Sequence, residues 1–185
     1  MRNDIDKVLI DRDTIARRVG EVAARIERDL PADAELTLVP ILTGSLIFLA
    51  DLIRHLPLYM RIRMLSISSY PGSAQESRGS VVRHELTTLP ADLSGSHVLL
   101  IDDILDSGGT LKLAIDTLQE RNPQSLRSCV LLRKQRQAAF AVQADYICFD
   151  IPDEFVVGYG LDYNDYYRNL PDIVTLRPEA VDARA

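Results

Sequence analysis

The segment VLLIDDILDSGGT, residues 98–110, decides the fold of this chain. Four apolar residues precede two adjacent acids, Asp102 and Asp103, and a third acid, Asp106, follows. Ser107–Thr110 are small residues that open a stretch with helical periodicity. A strand, a small-residue loop and a helix start form a phosphate site, because the N–H groups there lack backbone partners. Carboxylates beside a phosphate indicate a cation or sugar hydroxyls between them. The segment therefore predicts a phosphorylated sugar bound with Mg²⁺.

Strand-like and helical patterns alternate along the rest of the chain. The predicted strands are 36–42, 58–67, 81–86, 98–101, 126–132 and 146–149. Apolar residues at helical spacing predict a first helix (Ile15, Val19, Val22, Ala23, Ile26), a second opening at Gly44 (Leu46, Ile47, Ala50, Ile53) and a third (Leu111, Ala114, Ile115, Leu118).

These repeated strand–helix units predict an α/β fold with a mainly parallel twisted sheet flanked by helices. The length of 185 residues fits one domain. Ligands of such sheets bind at the carboxyl ends of the strands. Three segments directly follow predicted strands, and we expect them on one rim of the sheet: Thr43-Gly44, Asp102–Thr110 and Lys134.

Composition excludes several classes of function. The chain is 46% apolar and 26% charged, and no apolar run approaches the about 20 residues that a membrane span needs. The first residues show no signal-peptide core. A net charge of −6 argues against nucleic acid and acidic membranes as partners. Cys129 and Cys148 lie in apolar runs, which predicts buried thiols and a cytoplasmic location. Neither a Walker A loop nor a dinucleotide fingerprint is present.

Two segments show a family resemblance. Residues 98–110 resemble the motif with which type I phosphoribosyltransferases bind 5-phosphoribosyl-1-pyrophosphate (PRPP). Residues 151–171, IPDEFVVGYGLDYNDYYRNLP, are similar to the purine-binding region of hypoxanthine-guanine phosphoribosyltransferases. SSY at 68–70 and LTGS at 42–45 fit the same family, and the resemblance extends in order over roughly residues 5–177.

The resemblance implies a fold, a reaction and a cofactor. The fold would be the type I phosphoribosyltransferase fold in a single domain, residues 1–185, with a flap at about 68–83. A purine-binding hood at about 151–177 would join the N-terminal segment. The enzyme would transfer the phosphoribosyl group of PRPP to N9 of hypoxanthine or guanine with Mg²⁺, releasing pyrophosphate. Its relatives are usually homodimers or homotetramers.

The resemblance also implies roles for the residues that bind PRPP. Asp102 and Asp103 would bind the ribose hydroxyls beside one Mg²⁺, and Asp106 would act as general base near N7 of the purine. The 5′-phosphate and the pyrophosphate would contact two further sets of residues: Ser107, Gly108, Gly109 and Thr110 for the first, and Thr43, Gly44 and Arg168 for the second.

The purine site is implied in the same way. Lys134 would donate to the 6-oxo group, which would favour hypoxanthine or guanine over adenine. Phe155 would stack on the base, and the backbone of Val156 would bind its edge. Asp162 would help to hold a second Mg²⁺. Ser69 and Tyr70 would close over the site from the flap.

Two positions depart from the family pattern. Most relatives have glutamate where this chain has Asp102, and many have lysine or arginine where it has Thr43. In the family the loop at 42–45 often contains a non-proline cis peptide, and its backbone contacts pyrophosphate. A backbone role tolerates Thr43, whereas a role for a side-chain cation does not.

Other interpretations remain open at this point. A regulator with the same fold could sense PRPP and bind RNA or a protein, although the negative charge disfavours RNA. A phosphoribosyltransferase for uracil or adenine is a further alternative, which residues 151–163 disfavour. Asp162 and Arg168 could also form a simple helix-surface ion pair, and Phe155 could belong to the core.

Overall fold

The structure is a computed structural model that describes residues 1–68, 81–83, 87–136 and 142–182. Its helices are α1 (Arg12–Asp29), α2 (Leu46–Leu52), α3 (Gly109–Gln119) and α4 (Pro178–Asp182). Its strands are β1 (Ile5–Ile10), β2 (Leu36–Leu42), β3 (Met60–Ile62), β4 (Leu65–Ser68), β5 (Val81–Arg83), β6 (His97–Leu105), β7 (Ser125–Lys134), β8 (Tyr146–Ile151) and β9 (Ile173–Leu176). The predicted flap residues Ser69 and Tyr70, and part of the predicted strand 81–86, lie outside the described residues.

The central sheet is mainly parallel, which confirms the predicted fold class. Strands β2, β6, β7 and β8 are parallel neighbours in that order. β3 and β4 pair in parallel with successive parts of β2, and β5 pairs antiparallel with β4 at the sheet edge. The carboxyl ends of β2, β6 and β7 therefore lie side by side, as the sequence predicts.

Helices cover both faces of this sheet. Alternate strand residues point to opposite faces, so Leu38 packs with α1 and α2 while its neighbour Val39 packs with α3. The predicted apolar faces of α1 and α3 are confirmed, with Ile115 partly buried. Asp11 caps α1 by accepting hydrogen bonds from the backbone of Asp13 and Thr14 at 3.1 and 2.9 Å.

The N- and C-terminal segments form a second, smaller sheet, as the predicted hood requires. β1 and β9 pair antiparallel, with Ile5 opposite Leu176 and Ile10 opposite Ile173. Tyr167, between β8 and β9, is buried beside this sheet and donates to Asp4 at 2.9 Å. The chain ends thus tie the segment after β8 to the start of the chain.

The predicted buried face of the second helix is wrong in part. Leu46 and Ile47 are exposed, and the helix buries Phe48, Leu49 and Leu52 instead. The helix begins at Leu46 rather than at Gly44, because 43–45 form a turn against the ends of β2 and β6. Ala50 and Ile53, the other two residues predicted for this face, are partly buried, and Ile53 packs against the core.

Two strand predictions need correction. The predicted strand 58–67 is two strands, since β3 pairs with the start of β2 and β4 with its end. The predicted strand 98–101 continues through both acids to Leu105. β7 supports this continuation, with Asp102 opposite Val130 and Ile104 opposite Leu132. Asp102 and Asp103 are therefore strand residues rather than residues of the following loop.

The two cysteines are free and buried, as predicted. Within the part of the chain that the structure describes, we find no helix with both the length and the apolar character of a membrane span.

Candidate active site

A cavity of about 900 Å³ opens at the carboxyl ends of β2 and β6. It brings together most of the residues that the sequence predicts for PRPP. Its walls are the end of β2 and the turn after it, the end of β6, the loop before α3, and the segment between β8 and β9. The predicted residues in these walls are Thr43, Gly44, Asp102, Asp103, Asp106, Ser107, Gly108, Thr110, Asp162 and Arg168.

The two strand acids lie where β6 loses one neighbour. β2 pairs with β6 only as far as Ile101, so the next two residues face the cavity on that side. The backbone N–H of Asp103 donates to the Asp102 carboxylate at 3.1 Å. Burial, with the adjacent Asp103 charge, raises the pKa of Asp102 well above its ordinary value. A polar or cationic ligand would relieve that cost, so the pair is suited to binding one.

The turn after β2 packs directly against these acids. The peptide bond between Leu42 and Thr43 is cis, as the resemblance implies, and the buried Ser45 hydroxyl donates to the Ile41 carbonyl at 2.6 Å. A Cβ on Gly44 would lie 1.7 Å from Oδ2 of Asp103. Only glycine therefore lets this turn approach the carboxylate.

A second glycine contact fixes the other side of the turn. A Cβ on Gly160 would lie 2.2 Å from the carbonyl oxygen of Gly44, and Gly160 also has a φ of +103°. L side chains rarely adopt this conformation. The segment between β8 and β9 thus reaches the turn after β2 through two glycines.

The loop before α3 has the geometry of an anion site. Gly108 adopts a left-handed conformation with φ 84° and precedes the first residue of α3. The N-terminus of α3 lines the same cavity as the strand acids, and the helix dipole there favours a negative group. Ser107, Gly108 and Thr110 line the cavity, whereas Gly109 does not.

Asp106 sits between two cations. Its carboxylate accepts from Lys134 at 3.1 Å and forms an ion pair with Arg136. Both cations also lie near Asp153, at 3.5 Å for Lys134 and 3.6 Å for Arg136. Partial burial raises the pKa of Asp106, but the hydrogen bonds and charges of Lys134 and Arg136 outweigh it and lower the pKa below its ordinary value.

Arg168 is held by acids at the cavity edge. It lies 2.9 Å from Asp162, 2.9 Å from Asp165 and 2.9 Å from the Gly160 carbonyl. The ion pair with Asp162 that the sequence leaves open is present, on a turn-rich segment rather than a helix. The cation therefore faces the cavity with its charge balanced by two carboxylates.

Lys134, one of the predicted purine-binding residues, belongs to the Asp106 cluster, which consists of Asp106, Lys134, Arg136 and Asp153. Lys134 is the last residue of β7 and is buried, and its amino group contacts Asp106 and Asp153. Phe155, two residues after Asp153, is 52% exposed and packs edge-on against Tyr163 at 5.5 Å. Val156 is buried. An exposed aromatic ring such as that of Phe155 is able to stack on a flat ligand.

Sequence reasoning missed three residues of this region: Arg136, Asp153 and Asp165. Arg136 follows Lys134 by two residues at a strand end, and Asp153 lies within the segment that resembles the purine site. These two sequence positions were the only hints that Arg136 and Asp153 belong to the site. The ion pairs of Arg136 and Asp153 join distant parts of the chain, so no local pattern predicts them, whereas Asp165 pairs with Arg168 only three residues away.

The carboxylates of the cavity are compatible with the predicted Mg²⁺ only in one mode of binding. Among the described residues, no three side chains of His, Cys, Asp or Glu are grouped closely enough to hold a metal ion by themselves. Mg²⁺ commonly binds through one or two carboxylates together with substrate phosphates and water. Asp103 and Asp162, as oxygen donors on the cavity wall, fit that mode and not an all-protein site.

Comparison with known proteins agrees with this geometry. Residues 9–164 match the phosphoribosyl transferase domain family. The chain belongs to the phosphoribosyltransferase family.

Three similar proteins of that family are the following. The hypoxanthine-guanine phosphoribosyltransferase of Streptococcus pneumoniae is 40% identical over 179 residues, covering 97% of each chain. The crystal structure of a Staphylococcus aureus hypoxanthine phosphoribosyltransferase has a TM-score of 0.87 and 38% identity, covering 97% of this chain and 95% of that one. A Trypanosoma cruzi hypoxanthine phosphoribosyltransferase variant, solved with its product IMP, has a TM-score of 0.84 and 39% identity, covering 97% of this chain and 94% of that one.

Proposed function

We propose that this enzyme transfers the 5-phosphoribosyl group of PRPP to N9 of hypoxanthine or guanine in purine salvage, giving IMP or GMP and pyrophosphate. The single observation behind this reaction is the contact between Asp106 and Lys134. It joins the anion-binding loop before α3 to the cation at the end of β7. A phosphorylated sugar and a purine would therefore meet at Asp106. The named relatives support the same substrates.

PRPP would occupy the cavity. Its 5′-phosphate would bind at Ser107–Thr110, where the N-terminus of α3 supplies N–H donors. Asp102 and Asp103 would accept hydrogen bonds from the ribose hydroxyls. The pyrophosphate would contact the backbone of Thr43 and Gly44, with Arg168 as the nearby cation. In this placement the N–H donors of α3 and the Arg168 cation lie beside the phosphate groups, which explains how a protein of net charge −6 binds an anionic substrate.

The purine would lie between Phe155 and the Asp106 cluster. Lys134 would donate to the 6-oxo group, Val156 would bind the base edge through its backbone, and Asp106 would accept the proton at N7. Adenine presents an amino group where Lys134 needs an acceptor, so the base would offer no partner to the lysine donor. Ser69 and Tyr70 would contribute from the flap, residues 68–83, and residues 151–177 would form the hood.

Mg²⁺ would bind between the protein and PRPP. Asp162 and the strand acids Asp102 and Asp103 would hold it, directly or through water, together with oxygen atoms of the substrate. When bound, the ion neutralises the charge that develops on the leaving pyrophosphate. The side chains then have the tasks of orienting the sugar and accepting the purine proton.

Product formation from separate bases tests this function. Protein, PRPP and Mg²⁺ are mixed with hypoxanthine, guanine, xanthine, adenine or uracil, and nucleotide formation is followed by absorbance. We expect IMP and GMP, with kcat/KM for adenine lower by about 10⁴-fold or more, as for sites with an unpaired polar group. Formation of no 6-oxopurine nucleotide would rule the proposal out.

The Thr43→Lys variant tests the departure in the pyrophosphate turn. Thr43 is exposed at the cavity wall, so a lysine there reaches the anionic substrate without displacing core atoms. We expect the KM for PRPP to fall by up to about fivefold, the effect of one exposed ion pair, with an unchanged KM for hypoxanthine. Steady-state kinetics at two salt concentrations measures it. An unchanged KM for PRPP would mean that this turn acts through its backbone alone.

We also propose an oligomeric state and a cellular location for this protein. We expect a homodimer or homotetramer, as in related enzymes, and a cytoplasmic location, which two free, buried thiols support.

A further inference from the structure

The two cations on Asp106 differ in how they are held. Lys134 ends β7, and its side chain is 11% exposed. Arg136 lies beyond the strand end, and its side chain is 41% exposed. The backbone N–H of Arg136 donates to the Lys134 carbonyl at 2.9 Å, which places the arginine beside the lysine. Lys134 is thus fixed by burial, and Arg136 has room to move.

Each carboxylate oxygen of Asp106 is already engaged by one cation in this arrangement. Lys134 contacts Oδ2, and Arg136 contacts Oδ1. The proposed reaction needs one of these oxygen atoms to accept the proton at N7 of the purine. The base therefore competes with a cation for Asp106, and Arg136, the more exposed of the two, is the cation that can give way.

Asp153 is in place to receive that cation. Its Oδ2 lies 3.6 Å from Nε of Arg136, and its Oδ1 lies 3.5 Å from Nζ of Lys134. A small rotation of the arginine side chain would exchange one carboxylate for the other without leaving a charge unpaired. Such an exchange would cost little, because both carboxylates are 40–46% exposed.

We infer that Arg136 is a positioning residue that covers Asp106 in the free enzyme and moves to Asp153 when the purine binds. The inference rests on the proposed function. In this proposal Arg136 competes with the base for Asp106, and Asp153 binds Arg136 when it leaves. Lys134 stays beside the purine throughout, and PRPP binding is unaffected because Arg136 does not line the PRPP cavity.

Kinetics of single and double variants test this competition. In Arg136→Ala we expect the KM for hypoxanthine to fall by up to about fivefold, with the KM for PRPP unchanged. In Asp153→Asn the arginine loses its second partner, so we expect the KM for hypoxanthine to rise by a similar factor. That rise should shrink when Arg136→Ala is also present, and Arg136→Lys should restore wild-type behaviour.

Arg133→Ala is the matched control. Arg133 lies on the same strand and pairs with Asp150 at 2.6 and 3.1 Å, away from the cluster. We expect its KM for hypoxanthine to equal that of the wild type. Thermal unfolding of each variant checks the fold, and Arg136→Gln provides a second truncation if Arg136→Ala unfolds.

The outcomes separate the two proposals. An active wild type with an unchanged or raised KM for hypoxanthine in both folded Arg136 truncations would overturn the inference alone. Additive effects of Arg136→Ala and Asp153→Asn would also overturn it, because the two residues would then act independently. A wild type inactive with every 6-oxopurine would overturn the proposed function and the inference with it.

Discussion

Replacement of Asp106 by asparagine is expected to lower kcat by about 10²- to 10⁴-fold, the usual contribution of a general base. Asparagine has nearly the same shape and can still contact Lys134 and Arg136, but it cannot accept the N7 proton. Asp106 is partly exposed and has few packing contacts to lose, so the fold should be unaffected. Single-turnover and steady-state kinetics with hypoxanthine measure the effect.

The KM for PRPP separates this role from a structural one. We expect it to change by less than about threefold in Asp106→Asn, since the ribose contacts belong to other acids. A glutamate variant keeps the charge but moves the carboxylate, so it should recover only part of kcat. Wild-type kcat in the asparagine variant would show that another group accepts the proton.

The Gly44→Ala variant is expected to lose about 10²-fold in kcat/KM for PRPP. The new Cβ would lie 1.7 Å from Oδ2 of Asp103, so either the turn or the carboxylate must move. Displacement of about 1 Å in a reacting site costs a factor of this size. The same overpacking should lower the free energy of unfolding by about 1–3 kcal/mol. Kinetics and urea denaturation measure the two effects.

Gly20→Ala is the control for this variant. Gly20 lies within α1, and its nearest neighbours to an added Cβ are two atoms of His55 at 3.7 Å, an ordinary contact. We expect wild-type kcat/KM and a free energy of unfolding higher by about 0.5–1 kcal/mol, the helix preference for alanine. If Gly44→Ala behaved like Gly20→Ala, the close approach to Asp103 would have no functional importance.

The apolar pattern of the sequence was sufficient to predict the helices and strands wherever its periodicity follows from burial. The apolar run of β2 predicts that strand correctly, and the i, i+3, i+4 spacing of α1 and α3 predicts both helices and their buried faces, because each pattern follows from the burial of the element's own apolar residues. The pattern failed where an element has two different neighbours. β2 pairs with β3 and then with β4, which breaks the predicted strand 58–67 into two.

The acids of β6 illustrate the same limit. Charged residues normally end a buried strand, and on the side facing β2 the pairing does stop before Asp102. Pairing with β7 continues the strand to Leu105. Whether a residue belongs to a strand thus depends on partners from elsewhere in the chain, which the sequence of that strand does not contain.

The sequence by itself determined the class of fold, the small-residue loop that precedes α3 and the place of Lys134 on the same rim, since each follows from the order of strands and small residues. Only the tertiary structure decided which groups meet at Asp106. Arg136 is 30 residues away along the chain, and its pairing with Asp106 and Asp153 depends on how β6, β7 and β8 align. The close approach of Gly44 to Asp103 and Gly160 has the same origin. The sequence specifies the chemical groups of the site, whereas the packing of the whole sheet sets the distances between them.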